Sequence, residues 1–211
     1  MEAGEAEFGD LKFMEGVLAD IRQGNERGQL LAHGTAYIGD HYGLKRVPVI
    51  KKQAISAYDP RVIEVTGISM MLTAQGADHT TGNLFNVETK GKSTEELTKS
   101  SMEVQALCAA ADSLGLCVFG RSVTNINLDL IITALNDALG TELDDDFYVR
   151  LGTETLVLES QFNAAAGFTE EDDKLPDFFY DEPLAPMNKS ARHHSAEVNQ
   201  VRRDWITEHA I

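Results

Sequence analysis

The 211-residue chain carries 18 Lys and Arg against 34 Asp and Glu, a formal charge of −16. That balance argues against nucleic acid and anionic membrane surfaces, because both need a cationic face. With 43% apolar and 25% charged residues, the composition suits a soluble globular protein with one large domain or two small ones.

Two cysteines cannot build a disulfide framework. The acidic start lacks the basic-then-apolar pattern of a secretory segment, so a cytoplasmic protein with reduced thiols is expected. No apolar run approaches the ~20 residues of a membrane span.

Residues 1–9 carry no periodicity and read as a tail. Asp10 can cap a helix in which Leu11, Met14, Val17, Leu18 and Ile21 share a face, closed at Gly24-Asn25. Two short helices follow, Arg27 to Ala32 and Thr35 to Gly43. Val47 to Ile55 is the one strand-like segment, interrupted by Lys51 and Lys52. Asp59 before Pro60 predicts a helix entry, with Val62, Val65, Ile68 and Leu72 as its apolar stripe and an end near Ala74.

Thr80 to Lys92 is a polar loop. Ser93-Thr-Glu-Glu96 is a capping box, and Leu97, Val104, Leu107, Ala111 and Leu114 continue as a helical stripe. Gly115 stands where a left-handed terminal residue is wanted. Asp112 therefore sits in the last helical turn, where a carboxylate is disfavoured by the dipole, and Cys117 emerges on the loop beyond. An acid and a thiol so placed suggest a site.

Asn127 is expected to cap a helix closed by Gly140. Asp144-Asp-Asp146 is expected to begin a long helix carrying Phe147, Leu151, Leu156, Leu158 and Phe162. From Phe168 to Asn188 three prolines and several aromatics predict an extended, anchored segment, followed by a last helix from Ser195 to His209. The fold class is all-α, multihelical, with two packed helical subdomains, residues 10–120 and 121–211.

Cys108, on the helix, reads as a core residue. Two thiols cannot hold a zinc ion or an iron–sulfur cluster, so further ligands of any cluster on Cys117 come from outside the chain. His79 sits on a turn and can exchange a proton near neutral pH, with Asp78 beside it to raise its pKa if the two are close. His193-His194 reads as a polar loop entry. Asp144-Asp-Asp146 and Glu170-Glu-Asp-Asp173 lack the glycine and distal glutamate of a calcium loop and read as solvated helix starts.

Taken in order, several stretches resemble the C-terminal helical region, domains 2 and 3, of the tungsten-containing aldehyde ferredoxin oxidoreductases. They are Phe8-Gly-Asp10, Gly28-Gln-Leu-Leu-Ala-His-Gly34, Ile55-Ser-Ala-Tyr-Asp-Pro-Arg61, Gly76-Ala-Asp-His79, Asp112-Ser-Leu-Gly-Leu-Cys117, Phe162-Asn-Ala-Ala-Ala-Gly-Phe168, Glu171-Asp-Asp-Lys-Leu-Pro176 and Glu182-Pro-Leu184. The resemblance implies a tungsten (or molybdenum) bis-pterin and a [4Fe-4S] cluster, both completed by residues outside this chain. By that resemblance Asp112 accepts hydrogen bonds from a pterin, Leu116 and Val118 contact it through their backbone, and Cys117 is the cluster's fourth ligand. His79 lies near the metal as a proton-transfer or aldehyde-orienting residue. Implied partners are an N-terminal cofactor domain or separate chain, ferredoxin, and a small aldehyde substrate.

The chain departs from the pattern as well. The family's three clustered cysteines, its first Asp-x-x-Gly-Leu copy and a glutamate near the metal precede the matching region. Asp78 stands where members often carry Cys or Ala, and Thr81 where they carry a basic residue. Two alternatives therefore stay open: a relative acting on aryl carboxylates or aromatic rings, and a non-catalytic interaction module derived from this family.

Overall fold

The computed structural model describes residues 7–82, 84 and 87–209. The expected tail falls largely outside these residues, at positions 1–6. Among the described residues the chain forms ten α-helices, one 3-10 turn and a single two-stranded hairpin, so the all-α expectation holds.

The first three helices punctuate as the glycines predict. Asp10 accepts from the Phe13 N–H at 3.1 Å and opens α1 (Leu11–Gln23), which Gly24 closes in the left-handed conformation. Asn25 caps α2 (Glu26–Ala32), and Gly43 ends α3 (Gly34–Tyr42). The stripe on α1 does not enter a core: Leu11, Met14, Leu18 and Ile21 are exposed. The helix packs on α2 through its other side, with Arg27 paired to Asp20 at 2.7 Å.

The strand-like segment folds as β1 (Val49–Ile50) against β2 (Gln53–Ala54), with Lys51 and Lys52 as the turn. Both lysines have positive φ, 48° and 65°, the arrangement of a tight turn usually built from Asn and Gly. Contacts outside the hairpin hold it. The Lys51 N–H donates to the Asp172 carbonyl at 3.0 Å, and the Lys51 ammonium is bonded to Asp173. Asp173 also accepts from Arg202 Nη2 at 2.9 Å. It is thus not the solvated helix start expected of its acidic run but a buried counter-ion, reached from a lysine 122 residues away.

The next helix, α4 (Glu64–Leu72), begins later than Asp59-Pro60 suggests. Asp59 uses its carboxylate on Arg61, accepting from the backbone N–H at 2.9 Å and from the guanidinium at 2.9 and 2.6 Å. That local turn delays helix entry by four residues. From Val65 to Leu72 every residue of α4 is buried, so the helix is encased and not amphipathic. It packs against α5 (Thr94–Ser113) and α10 (Ser195–Glu208). Ile50, Ile68, Met71, Leu97, Leu175, Phe179 and Val198 share one core.

After α5 the chain passes through η1 (Val118–Gly120), α6 (Arg121–Thr124) and α7 (Leu128–Leu139) to α8 (Phe147–Ala165). Helices α5 and α8 make the most extensive helix pair. They meet at Gly152, where a Cβ would lie 1.8 Å from the Ala106 carbonyl oxygen; only glycine permits this approach. Asn127 does not cap α7, because its amide donates to the Val123 carbonyl at 2.7 Å. Asp144 pairs with Arg150 at 3.1 Å, while Leu158 and Phe162 point outward.

The Pro-rich segment is anchored as its aromatics predict. It includes the short α9 (Phe178–Asp181), with Phe179 buried beneath the Arg61 guanidinium. Tyr180 donates to the His193 carbonyl at 2.8 Å, and burial pushes its phenol up to about 12. His193 and His194 diverge: His194 stacks on Tyr180, while His193 is buried. Its Nδ1 lies 3.0 Å from the Thr94 hydroxyl and its Nε2 lies 3.9 Å from Glu64, which Arg192 also engages. His193 is therefore a core residue and not part of a polar loop.

Candidate functional site

The Asp112–Cys117 stretch takes its shape from the two ends of α5. At the N-terminus, Ser93 and Glu96 form the expected reciprocal capping box. At the C-terminus, the Gly115 N–H donates to the Asp112 carbonyl at 3.0 Å and the Leu116 N–H to the Ala111 carbonyl at 2.8 Å. With Gly115 at φ 70°, this is the Schellman arrangement. Leu116 packs on Ala110, Ala111 and Tyr148, which fixes the loop from beneath. Asp112 and Cys117 are both left exposed on this helix end.

The backbone of the loop is divided in its use. Leu116 gives its N–H to Ala111, and the Val118 carbonyl accepts from Arg121. The Leu116 carbonyl and the Val118 N–H take no part in backbone hydrogen bonds among the described residues, so those two groups can reach a ligand. Phe119 is 92% exposed and Ile126 79%, with Val123 and Leu130 also uncovered. The loop thus sits in a wide apolar surface.

His79 is exposed on the turn that follows Gly76, with its ring 5.5 Å from that of Tyr58. Asp78 is buried and accepts from the Thr80 N–H at 2.7 Å and from the Thr80 hydroxyl at 2.8 Å. The two functional segments are joined by a residue that motif reading passes over. Arg121, four residues after Cys117, donates to the Thr80 carbonyl beside His79. A guanidinium therefore reaches the turn where Thr81 replaces the expected basic residue.

Unmet hydrogen-bonding capacity gathers at this corner. Thr81 Oγ1, Arg121 Nε, Asn125 Oδ1 and the Tyr148 hydroxyl are buried without partners, four of nine such atoms among the described residues. Buried polar atoms are nearly always paired, so each of these four leaves hydrogen-bonding capacity unused inside the fold. Cys108 lies beneath, fully buried, with its thiol pushed up by burial against the opposing charge of Arg121. It is the core cysteine the sequence suggests.

Beside Asp112 a cleft of about 330 Å³ opens between α5, α8 and the residues after α4. Gln105 and Glu159 line it with Asp112. Burial raises the Glu159 carboxyl above its usual range, and the Asp112 charge adds to this. No group of three or more His, Cys, Asp or Glu able to hold a metal occurs among the described residues. The described residues could therefore offer a cluster or metal only a share of its ligands, and the exposed sulfur of Cys117 is of the right chemistry for one of them.

The family model described as aldehyde ferredoxin oxidoreductase, domains 2 & 3, matches residues 1–207. The chain belongs to this family. Similar relatives are tungsten-containing aldehyde ferredoxin oxidoreductases. That of Pyrococcus horikoshii is 28% identical over 187 residues, covering 84% of this chain and 30% of the relative. The Pyrococcus furiosus protein is 28% identical over 196 residues, covering 87% and 32%. The Thermococcus kodakarensis protein is 27% identical over the same length and shares. The chain spans about a third of the length of these aldehyde ferredoxin oxidoreductases. No single helix among its described residues is long and apolar enough to cross a membrane.

Proposed function

We propose that this chain is the helical portion of an aldehyde:ferredoxin oxidoreductase-type enzyme, completed by an N-terminal cofactor-binding domain or separate chain. The proposed reaction converts an aldehyde and water to a carboxylic acid, two protons and two electrons for ferredoxin; a [4Fe-4S] cluster held in part by Cys117 would supply the one-electron chemistry that links the two. One observation carries the reading: a single closed helix end presents a carboxylate and a thiol together, on an apolar surface with unmet hydrogen bonds.

A tungsten (or molybdenum) pterin centre beside such a cluster would supply the two-electron chemistry. The residues of this chain bind, orient and move protons. The Asp112 carboxylate can accept two parallel N–H bonds from an aminopyrimidinone ring, as it would from a guanidinium. Cys117 would supply one thiolate of the cluster's four. The Leu116 carbonyl and the Val118 N–H are the backbone groups free to meet the pterin. His79 is exposed on its turn and can hold or pass a proton at an imidazole nitrogen. Arg121 keeps that turn in register with the cysteine loop.

The deciding experiment is metal analysis of the protein purified anaerobically from its native host, alone and with its N-terminal partner. Tungsten or molybdenum, together with iron, is expected in the assembled form. Cys117→Ala should abolish the cluster there, and Cys108→Ala should retain it. Metal-free protein in both states would overturn the reading, and equal cluster loss in both variants would overturn the assignment of Cys117.

A further inference from the structure

A second cavity, of about 200 Å³, lies between the hairpin turn, α5, α8 and α10. None of Asp112, Cys117 or His79 lines it, and only the wall bearing Ala74, Gln105, Leu156 and Glu159 is shared with the cleft beside Asp112. Its lining brings the buried ion group, Lys51, Asp173 and Arg202, together with Leu72, Met102, Leu156, Phe168 and Ile206. A cationic group and an apolar sheath thus face one enclosed space.

The ion group is short of acceptors. An ammonium carries three N–H donors and a guanidinium five. Among the described residues the Lys51 ammonium donates only to Asp173, and the Arg202 guanidinium donates only to the other oxygen of the same carboxylate, at 2.9 Å. Two cations therefore share one anion. Asp172 also acts on Lys51, but it does not line the cavity and is engaged by the Thr169 N–H and hydroxyl. Glu170 lines the cavity and is bonded to Arg203. Glu159, on the shared wall, is pushed toward its neutral form by burial and by the Asp112 charge. With the Lys51 side chain 3% exposed, its remaining N–H groups cannot all turn to bulk water, and a buried donor without an acceptor is costly. Lys51 also holds a left-handed backbone, φ 48°, at a turn position where Asn or Gly would be unstrained. Such strain in a non-glycine residue points to a use for its side chain.

We infer that this cavity binds a small monocarboxylate with an apolar body, the carboxylate held by Lys51 and Arg202 and the body by Leu72, Met102, Leu156, Phe168 and Ile206. A guanidinium fork beside an ammonium suits a carboxylate in shape and charge. The single surplus cation matches one anionic group, and the apolar lining leaves a second charged end without a partner. An apolar cavity of about 150 Å³ holds a benzene ring, so this one has room for such a ring with a carboxylate attached. The site stands on the cavity alone and goes beyond the proposed reaction, although acids are the class of product which that reaction would release.

The test is calorimetric titration of the whole chain at neutral pH with benzoate, benzamide and acetate. Benzoate should bind at about 1 mM or tighter. Benzamide, which keeps the ring but not the charge, and acetate, which keeps the charge but not the ring, should each bind about tenfold or more weakly. Arg202→Gln leaves the Lys51–Asp173 pair in place and should weaken benzoate by about tenfold. Ala164→Leu, at an exposed helical position on the cavity wall, should fill the space of the ring and weaken benzoate at least as much. Thermal unfolding establishes that both variants are folded. Benzamide or acetate binding as tightly as benzoate, an unaffected variant of either kind, or no benzoate binding up to its solubility overturns the inference. Those outcomes leave the oxidoreductase reading standing, because metal content of the assembled enzyme decides that separately.

Discussion

Asp173→Asn tests the buried ion pair that holds the hairpin to the rest of the chain. The Lys51 and Asp173 side chains are 3% and 1% exposed, and Arg202 is the only other cation paired with the same carboxylate among the described residues. Removing the charge leaves a buried ammonium without its hydrogen-bonded counter-ion, with the Arg202 guanidinium beside it and only the more distant Asp172 charge in its favour. Losing one partner of a buried pair costs about 3–5 kcal/mol, a large share of a domain's stability. The deficit carries a signature in pH. Burial already lowers the Lys51 pKa from its usual 10.5, opposed by Asp173. Between that lowered value and 10.5 the unfolded chain binds more protons than the folded one, so stability rises with pH there. Without Asp173 the pKa falls further and the window opens lower. The deficit of the variant should therefore be greatest near about pH 7 and shrink toward about pH 10, as Lys51 becomes neutral. Urea unfolding followed by the single tryptophan, Trp205 on α10 near Arg202, measures it. A loss under about 1 kcal/mol, the range of exposed pairs, or a deficit flat with pH, would refute the reasoning.

Three further outcomes follow from the packing. Gly152→Ala places a methyl into the Ala106 carbonyl, so α5 and α8 must separate; a loss of about 3 kcal/mol or more in urea unfolding is expected. Its thermal midpoint should fall, and an unchanged value would mean the helices are not in register as described. The His193 pKa is lowered by burial and by Arg192, against Glu64 and Glu197. Its contribution should hold above the usual 6.5 and fade as pH drops toward the lowered value. His193→Gln removes the titrating group and with it that component of the acid slope, and identical slopes in both proteins would contradict the assignment. Lys52→Gly relieves a left-handed lysine at φ 65° and should stabilise by about 0.5–1 kcal/mol, read as a higher urea midpoint.

What the sequence makes legible here is what short-range chemistry decides. The capping box at Ser93, the left-handed Gly115 and the punctuation at Gly24 and Gly43 are each satisfied within five residues, so spacing alone finds them. The entry to α4 misleads because Asp59 has two local uses, capping a helix or binding Arg61, and spacing does not rank them. Asp173 reads as solvent-facing because Lys51 lies 122 residues away. The same holds for His193, whose partners Thr94 and Glu64 belong to other helices. Asp112 and Cys117 could be singled out as a pair because one helix end carries both. Glu159 and Gln105 could not, because their meeting depends on the crossing at Gly152, a glycine that stands in the sequence with no turn signal around it.

Because α4 has no solvent-facing side, it cannot persist as a separate helix before its neighbours arrive. Its covering includes Leu175, Phe179 and Val198, made long after it by a ribosome working from the amino end. During synthesis the apolar surface of α4 would stay uncovered until α10 is released, a period open to chaperone capture or aggregation. Trimming the chain back past Val198 should therefore unravel its interior, not merely shorten its edge.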